Sequence, residues 1–241
     1  MTADLIVYNI SKLYTPYHKP PVKKEALSEL IMLKDAFIAV KDEKIVAVGR
    51  EHYEMYVGSD TSLYDAQGKV CFPGFIDAHT HLVFGGSREH EFTEKLKGVP
   101  YIEILKNGGG ILSSVEMTRE ASAEELYKKS LNSLNRMLQF GTTTIEAKSG
   151  YGLDLETEIK QLEVAHSLEK HHPIDMVHTY MGAHAIPKEY KENSEAYISV
   201  VMKDLEQIKE KNLASSVDVF CEDHVFDVDL SRKLLKKAKK L

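Results

Sequence analysis

The sequence predicts an α/β protein built mainly from parallel βαβ units, preceded by a small β domain. From residue 71 onward, short apolar runs alternate with amphipathic segments of helical period, a pattern typical of parallel sheets with right-handed crossovers. Before residue 71, short runs rich in β-branched residues are separated by turn signals instead. We therefore expect an incomplete N-terminal β domain at residues 1–70 and an α/β region at residues 71–241.

The N-terminal region contains three strand-like stretches, which are DLIVYNI, DAFIAVKDEKIVAVG and SLYDAQGKVCFPG. In the second stretch, the DEK between two apolar runs is typical of a hairpin turn. The segment TPYHKPPVKKEALSE holds three prolines and a cluster of charges, which favours an exposed loop.

The α/β region contains four strand–helix units. The predicted strands are VCFPGFIDAHTH, TTTIEAKSG, IDMVHTYMGAH and SSVDVFCED, and the predicted helices are SAEELYKKSLNSLNRMLQFG, LETEIKQLEVAHSLEKHH, SEAYISVVMKDLEQIKEKN and DLSRKLLKKAKKL. The first helix has Ser122 at an N-cap position and Gly141 at its end. A closed (β/α)₈ barrel takes about 250 residues, whereas about 170 follow residue 70. The count fits about half of a TIM-like barrel or a smaller open sheet.

Composition favours a small-molecule partner. The 37 acidic and 31 basic residues give a net charge of -6 without a basic patch, which argues against nucleic acid. The two cysteines lack the spacing of a zinc site or a disulfide framework, which fits a reducing cytoplasm. The sequence shows no apolar run of membrane-spanning length and no signal-peptide pattern, so we expect a cytoplasmic protein without a membrane partner.

Two histidines at the end of the first predicted strand of the α/β region form a potential metal site. His79 and His81 are two residues apart, so on an extended strand both side chains point to one face. Neutral imidazole is a good ligand for zinc or iron. Spacing alone favours two packed or solvated histidines, but the carboxyl ends of parallel strands are where barrels and sheets build their sites.

Three further residues follow strands at the same expected rim. Arg88 lies in the loop after the two histidines, Tyr151 follows the second strand and His184 follows the third. An arginine there can hold a carboxylate in a bidentate contact. Each residue alone also fits a structural role, and their shared position at strand ends is what indicates a site.

Several linked motifs resemble those of one enzyme family. PGFIDAHTH is similar to the first metal-binding strand of the amidohydrolase superfamily. A wider set of motifs resembles the imidazolonepropionase family, and this resemblance extends over residues 4 to 241. The set comprises HTHLVFGGSREHEF, GGGI, GTTTIEAKSGYGLD, GAHAIPKEY and VDVFCE.

The resemblance implies a function and roles for individual residues. It implies hydrolysis of 4-imidazolone-5-propionate to N-formimino-L-glutamate in histidine degradation, by attack of a metal-bound water on the ring carbonyl. His79 and His81 match metal ligands for one zinc or iron ion, and Arg88 matches the residue that binds the propionate. Tyr151 and His184 match residues that contact the ring, with Tyr101 as a further neighbour of the substrate.

The resemblance also implies the architecture of the whole enzyme. It implies a homodimer whose subunits combine a small β-sandwich with a (β/α)₈ TIM-like barrel. This chain would then hold the N-terminal part of the sandwich and about the first four strand–helix units of the barrel. The chain is shorter than this family, whose general base and remaining metal ligands lie on later strands, so we expect them beyond Leu241. Two other interpretations stay open: a catalytically inactive fragment or interaction module, and another amidohydrolase such as a cyclic deaminase.

Overall fold

The chain folds into two compact units in the computed structural model, Met1–Pro73 and Gly74–Leu241. The structure describes residues 1–19, 21–100, 103, 109–191, 193–223 and 225–241. The assignment of residues 1–70 and 71–241 to two domains of a larger hydrolase stays a prediction.

The first unit is one mixed β-sheet. Its strands are β1 (Leu5–Pro16), β2 (Leu30–Lys41), β3 (Lys44–Gly49), β4 (Ser62–Asp65) and β5 (Val70–Cys71). β1 pairs antiparallel with β2, which pairs antiparallel with β3, whereas β4 and β5 both run parallel to β1. The segment expected to be an exposed loop contains a short 3₁₀ helix, Lys24–Ser28, without a buried residue.

The strand β1 carries a bulge that divides the core of this unit. The register with β2 shifts between Val7 and Ile10, where Asn9 adopts a φ of 56°. Asparagine tolerates this left-handed conformation better than most residues, because its short polar side chain can form local hydrogen bonds. Ile6 packs in one apolar cluster with Phe37, and Ile10 packs in a second cluster.

The second unit is an α/β structure whose four strands are all parallel, in the order β6-β7-β8-β9. The strands are β6 (Phe75–Thr80), β7 (Thr142–Lys148), β8 (Asp175–Ala183) and β9 (Ser216–Val219). The α-helices are α1 (Glu89–Leu96), α2 (Ile111–Glu120), α3 (Ala123–Gln139), α4 (Leu155–Glu169), α5 (Ser194–Glu210) and α6 (Val228–Ala238). This arrangement confirms the predicted α/β class and the half-barrel of four strand–helix units.

One predicted strand proved to be two. The run VCFPGFIDAHTH is broken at Pro73 and Gly74, so that β5 joins the first sheet and β6 begins the second. Proline lacks the N–H that a continuing ladder needs. A Cβ at Gly74 would lie 2.1 Å from Oγ1 of Thr143, so the Thr143 side chain occupies the space that a larger residue would need.

The predicted start of α3 is confirmed in detail. Ser122 Oγ accepts a hydrogen bond from the Glu125 amide, and the Glu125 carboxylate accepts one from the Ser122 amide at 2.8 Å. This reciprocal capping box satisfies two amides that the helix itself leaves unpaired. The sequence did not predict α1 and α2, which lie between β6 and α3.

Two apolar clusters fill the space between the parallel sheet and its helices. One surrounds Tyr180 of β8 and the other surrounds Ile145 of β7. The strands at the ends of the sheet are less covered: Ile76 of β6 is 71% exposed and Phe220, just after β9, is 44% exposed. Among the described residues, no helix is both long and apolar enough to cross a membrane.

Candidate active site at the carboxyl ends of the strands

Two imidazole rings are held by consecutive carbonyl groups of the loop that follows β7. The Nδ1 atom of His81 lies 2.8 Å from the Ser149 carbonyl oxygen, and Nδ1 of His184 lies 2.9 Å from that of Gly150. Because a carbonyl only accepts, each Nδ1 carries the hydrogen and each Nε2 keeps its lone pair in the neutral ring. Both rings therefore present an acceptor or ligand atom away from the loop.

Predicted site residues at the end of β6 and just after β6, β7 and β8 lie together as a cluster of rings. His81 and His184 stack with centroids 4.4 Å apart and planes 9° apart. The Tyr151 ring meets both edge-on, with centroid distances of 5.0 Å and 5.2 Å. The His79 ring lies 6.2 Å from that of His81. The structure thus brings together four of the six residues that the sequence singled out.

Burial keeps the side chains of His81, His184 and Tyr151 uncharged. Burial, with the neighbouring His184, lowers the pKa of His81 to about 3. Burial likewise lowers the pKa of His184, although its hydrogen bond to Gly150 opposes the shift. Burial raises the pKa of the Tyr151 phenol, while the nearby charge of Arg88 acts in the opposite direction. At neutral pH the site therefore offers neutral imidazoles and a protonated phenol.

Arg88 lies at the start of α1 and forms a long ion pair with a buried carboxylate. Its Nη1 lies 3.7 Å from Oε2 of Glu91, which is 4% exposed. The other oxygen of Glu91 accepts a hydrogen bond from the Gly110 amide at 2.8 Å, which joins α1 to the start of α2. The Arg88 side chain is 34% exposed, so its guanidinium can still bind an anion. Tyr101, the sixth predicted residue, lies outside the described residues.

A buried glutamate supports the loop that carries these carbonyls. Glu158 of α4 is 1% exposed and accepts hydrogen bonds from the amides of Gly150, Gly152 and Leu153 at 2.8–2.9 Å. Burial raises the pKa of the Glu158 carboxyl, and these amides together with the Ser149 hydroxyl oppose that rise. Because its donors surround both oxygens, the loop is built around a carboxylate.

Two further contacts fix the same loop. Gln161, also on α4, accepts from the Tyr151 amide at 3.2 Å and donates to the Val83 carbonyl at 2.6 Å. Gly150 has a φ of 110°, and a Cβ there would lie 2.9 Å from the Met181 carbonyl oxygen. The loop after β7 and the chain after β6 are thus tied to one helix.

A buried lysine lies among carboxylates on the parallel strands. Lys148 of β7 is 5% exposed, and its Nζ lies 3.0 Å from Glu146 Oε1 and 2.7 Å from Asp218 Oδ2. Thr179 donates to the same Glu146 oxygen at 2.7 Å. The positive charge of Lys148 also contributes to the lowered pKa of His81. This network links β7, β8 and β9 beneath the rings.

Sequence reasoning missed Glu158, Gln161 and the Lys148 network. A signal for the first two was present, because Glu158 and Gln161 share a helix face with Leu162, Ala165 and Leu168, which are all buried. A polar residue on an otherwise buried helix face needs a partner, and the glycine-rich KSGYGLD loop was the adjacent candidate. Lys148 carries no comparable signal, because a lysine at a strand end is usually solvated.

Solved structures of known enzymes share the fold of this chain. Guanine deaminase from E. coli aligns with a TM-score of 0.59 and 14% sequence identity over 97% of this chain and 51% of that protein. A triazine hydrolase from Arthrobacter aurescens aligns with a TM-score of 0.57 and 14% identity over 98% of this chain and 50% of that protein. At such identity the likeness concerns the amidohydrolase fold alone.

Curated relatives match the whole chain at much higher identity, whereas no protein-family model matches it. Imidazolonepropionases from Streptococcus pyogenes serotype M6 and Streptococcus sanguinis are each 52% identical to it, over 246 and 244 residues. The imidazolonepropionase from Alkaliphilus oremlandii is 51% identical over 245 residues. Each match covers 100% of this chain and 58% of the relative. Over its whole length the chain is therefore similar in sequence to imidazolonepropionases, and it spans 58% of their length.

Proposed function

We propose that this chain supplies two metal ligands and the substrate-binding rim of an enzyme that hydrolyses 4-imidazolone-5-propionate to N-formimino-L-glutamate in histidine degradation. The observation that carries the proposal is the ring cluster of His79, His81, Tyr151 and His184, with the Arg88 guanidinium close to Tyr151. The match to imidazolonepropionases supports the choice of substrate.

The proposed ligands suit a borderline metal ion such as Zn²⁺ or Fe²⁺. The Ser149 carbonyl fixes the tautomer of His81 and leaves Nε2 free, which is the arrangement that most metal-binding histidines show. His79 is exposed on the same strand and offers a second imidazole. Bound there, the ion supplies Lewis acidity and a nucleophilic water near neutral pH. In the part of the chain that the structure describes, no third ligand side chain joins these two in a compact group.

The remaining residues fit the two ends of the substrate. The propionate is an anion, and Arg88 provides a fixed, permanently charged group for it. The imidazolone ring has N–H donors, and Nε2 of His184 is an acceptor because Nδ1 is committed to Gly150. The edge-on rings of Tyr151 and His81 add flat apolar surface on which the substrate ring can pack.

The finer architecture belongs to the same proposal. We infer that the first unit is part of a small β-sandwich and that the second unit is half of a (β/α)₈ barrel. The whole enzyme would then be a cytoplasmic homodimer in which one metal ion and the general base complete each site. These features rest on the family resemblance.

A chimera tests the activity and its residues. In the Streptococcus sanguinis relative, the 244-residue region that matches this chain is replaced by the chain itself. We expect metal-dependent loss of imidazolone propionate absorbance, and we expect the His79→Ala/His81→Ala variant to lose both the metal and the activity. A folded chimera that binds metal but does not consume the substrate would contradict the proposal. Release of ammonia from a ring amine instead would favour the deaminase interpretation.

The 241-residue chain alone tests the inactive-module interpretation. Purified chain is assayed with Zn²⁺ or Fe²⁺, and its bound metal is measured. Turnover with stoichiometric metal would exclude an inactive module. If the chain alone shows no turnover while the chimera is active, the site residues of this chain support catalysis, but only together with the part of the relative that the chimera adds.

A further inference from the structure

A second group of metal-ligand side chains lies near the amino-terminal end of β8, whereas the ring cluster lies at the carboxyl end of this strand. It consists of His166 and Glu169 in the last turn of α4 and His178 of β8, whose ligand atoms all lie within 4.8 Å of one another. His178 precedes His184 by six residues, which is about 20 Å along an extended chain. From this arrangement we infer that the chain holds a second divalent-metal site of the Zn²⁺ class, built from His166, Glu169 and His178.

The hydrogen bonds around His166 leave its inner nitrogen as an acceptor. Its Nε2 lies 3.0 Å from the Leu213 carbonyl oxygen, so Nε2 carries the hydrogen and Nδ1 keeps a lone pair. That Nδ1 faces Oε2 of Glu169 at 3.7 Å. A cation between these two acceptors would bind both of them, and Glu169 Oε2 already lies 2.9 Å from Nε2 of His178. A histidine that donates one N–H to a carbonyl and turns its other nitrogen inward is also the usual geometry of a metal ligand.

Glu169 and His178 provide the other two donors. Glu169 Oε2 lies 2.9 Å from Nε2 of His178, while Oε1 accepts from the Met176 amide at 3.3 Å and so orients the carboxylate. For metal–ligand distances of about 2.1 Å, tetrahedral geometry separates two ligand atoms by about 3.4 Å. The spacings of 2.9 Å and 3.7 Å bracket this value, so small side-chain rotations suffice.

The state of His178 fits a ligand as well. It is 6% exposed, and burial lowers its pKa although Glu169 opposes the shift, so the imidazole is neutral at neutral pH. Its Nδ1 is buried, and within the described residues it has no hydrogen-bond partner. Because a carboxylate only accepts, Nε2 of His178 carries the hydrogen and donates it to Glu169, while the buried Nδ1 keeps its lone pair. A cation at Nε2 can displace this proton.

The site is open on one side. The side chains of His166 and Glu169 are 31% and 36% exposed, so an ion can enter and keep water in its remaining position. Two imidazoles, one carboxylate and water form a ligand set that proteins use for Zn²⁺. Burial restricts the side chain of His178, and the other two ligand side chains lie on a single helical turn.

Metal counting tests the inference independently of the proposed function. The 241-residue chain with His79→Ala and His81→Ala lacks the ligands of the active site, so any bound equivalent belongs elsewhere. After dialysis against Zn²⁺, we expect one equivalent in this background variant, together with a rise in its thermal midpoint. With Co²⁺ we expect the visible d–d absorption of a four-coordinate site.

Variants of the cluster then locate the metal. In the same background, adding His166→Gln or Glu169→Gln should abolish the bound equivalent, the Co²⁺ absorption and the Zn²⁺-dependent rise in midpoint. His171→Ala removes an exposed histidine just after α4 and should leave all three unchanged. A background variant that binds no Zn²⁺ above a buffer blank would overturn the inference. Equal binding by the Glu169→Gln and His171→Ala variants would overturn it too.

Discussion

Replacing Glu158 by glutamine should loosen the loop that carries the Ser149 and Gly150 carbonyls. Glutamine has nearly the same shape, but one of its two terminal atoms is an NH₂ donor. Glu158 Oε1 accepts from Gly152 and Leu153, while Oε2 accepts from Gly150. The least disruptive orientation of the amide keeps the first two bonds and turns its NH₂ toward the Gly150 N–H.

The expected loss of local stability follows from the two donors that face each other, the glutamine NH₂ and the Gly150 N–H. A hydrogen bond to a charged acceptor contributes about 1.5–3 kcal/mol, and leaving a buried donor unsatisfied costs about 1–3 kcal/mol. Both figures include the lost hydrogen bond of the Gly150 amide, so they are not added, and we expect the stability of the loop to fall by about 2–3 kcal/mol. A difference of about 1.4 kcal/mol is a factor of ten, so the local opening constant of residues 149–153 should rise roughly 30- to 140-fold.

Hydrogen exchange of the peptide that covers residues 149–153 measures this opening directly. Global unfolding is best followed by far-UV circular dichroism, since the chain contains no tryptophan. Glu156→Gln is the matched control: it removes a charge from the same first turn of α4, but its side chain is exposed. The control should change the exchange of residues 149–153 little, because a charge at an exposed helix terminus contributes about 0.3–1 kcal/mol.

A Glu158→Gln variant with unchanged or slower exchange would refute the reasoning. Burial penalises the charge of Glu158, and glutamine removes that penalty together with the hydrogen bond to Gly150. Equal or higher stability would show that the burial penalty outweighs the hydrogen bonds. The loop would then be held by Gln161 and by the backbone of Gly150 instead.

Three other changes have defined outcomes. Lys148→Met should lower the free energy of unfolding by about 3 kcal/mol, because it leaves two carboxylates without their buried partner; equal urea midpoints would contradict this. Burial raises the pKa of Asp218, but the hydrogen bond from Lys148 outweighs this effect and the pKa is lowered overall. The ion pair therefore stabilises the fold above about pH 4, and this contribution is lost as the pH falls through the lowered pKa. The Lys148→Met variant should lack this acid-dependent loss of stability. Gly85→Ala places a Cβ 2.2 Å from the Met117 carbonyl oxygen and should lower stability by about 1–3 kcal/mol, with an unchanged thermal midpoint as the contrary result. In the chimera, Arg88→Lys should raise KM for the propionate substrate roughly tenfold with a smaller effect on kcat, and an unchanged KM would argue against carboxylate recognition by Arg88.

The sequence predicted the parallel part of the fold because periodicity is strong there. The capped helix after Ser122 and the alternation of strands with helices are local patterns, and both are confirmed. The break between β5 and β6 was missed because apolar residues continue on both sides of Pro73. Which sheet each half joins depends on distant partners, Leu13 for β5 and Ile145 for β6, and no local signal encodes them.

The site was predictable only where residues follow strand ends. His81, Tyr151 and His184 each follow a parallel strand, and parallel strands end at one edge of a sheet. The supporting residues could not be derived in the same way. Glu158 acts through backbone amides eight or fewer residues away, and which amides converge on it depends on the left-handed turn at Gly150.

The order of the parallel sheet has a consequence for synthesis. Its strands neighbour each other in the order in which they are made, and each pairs with the strand that preceded it along the chain. A chain leaving the ribosome can therefore add one strand–helix unit at a time to a finished template, without waiting for residues still to be translated. At every stage β6 forms one edge of the described sheet and the newest strand forms the other, so the second of the two exposed edges moves along the sheet with translation.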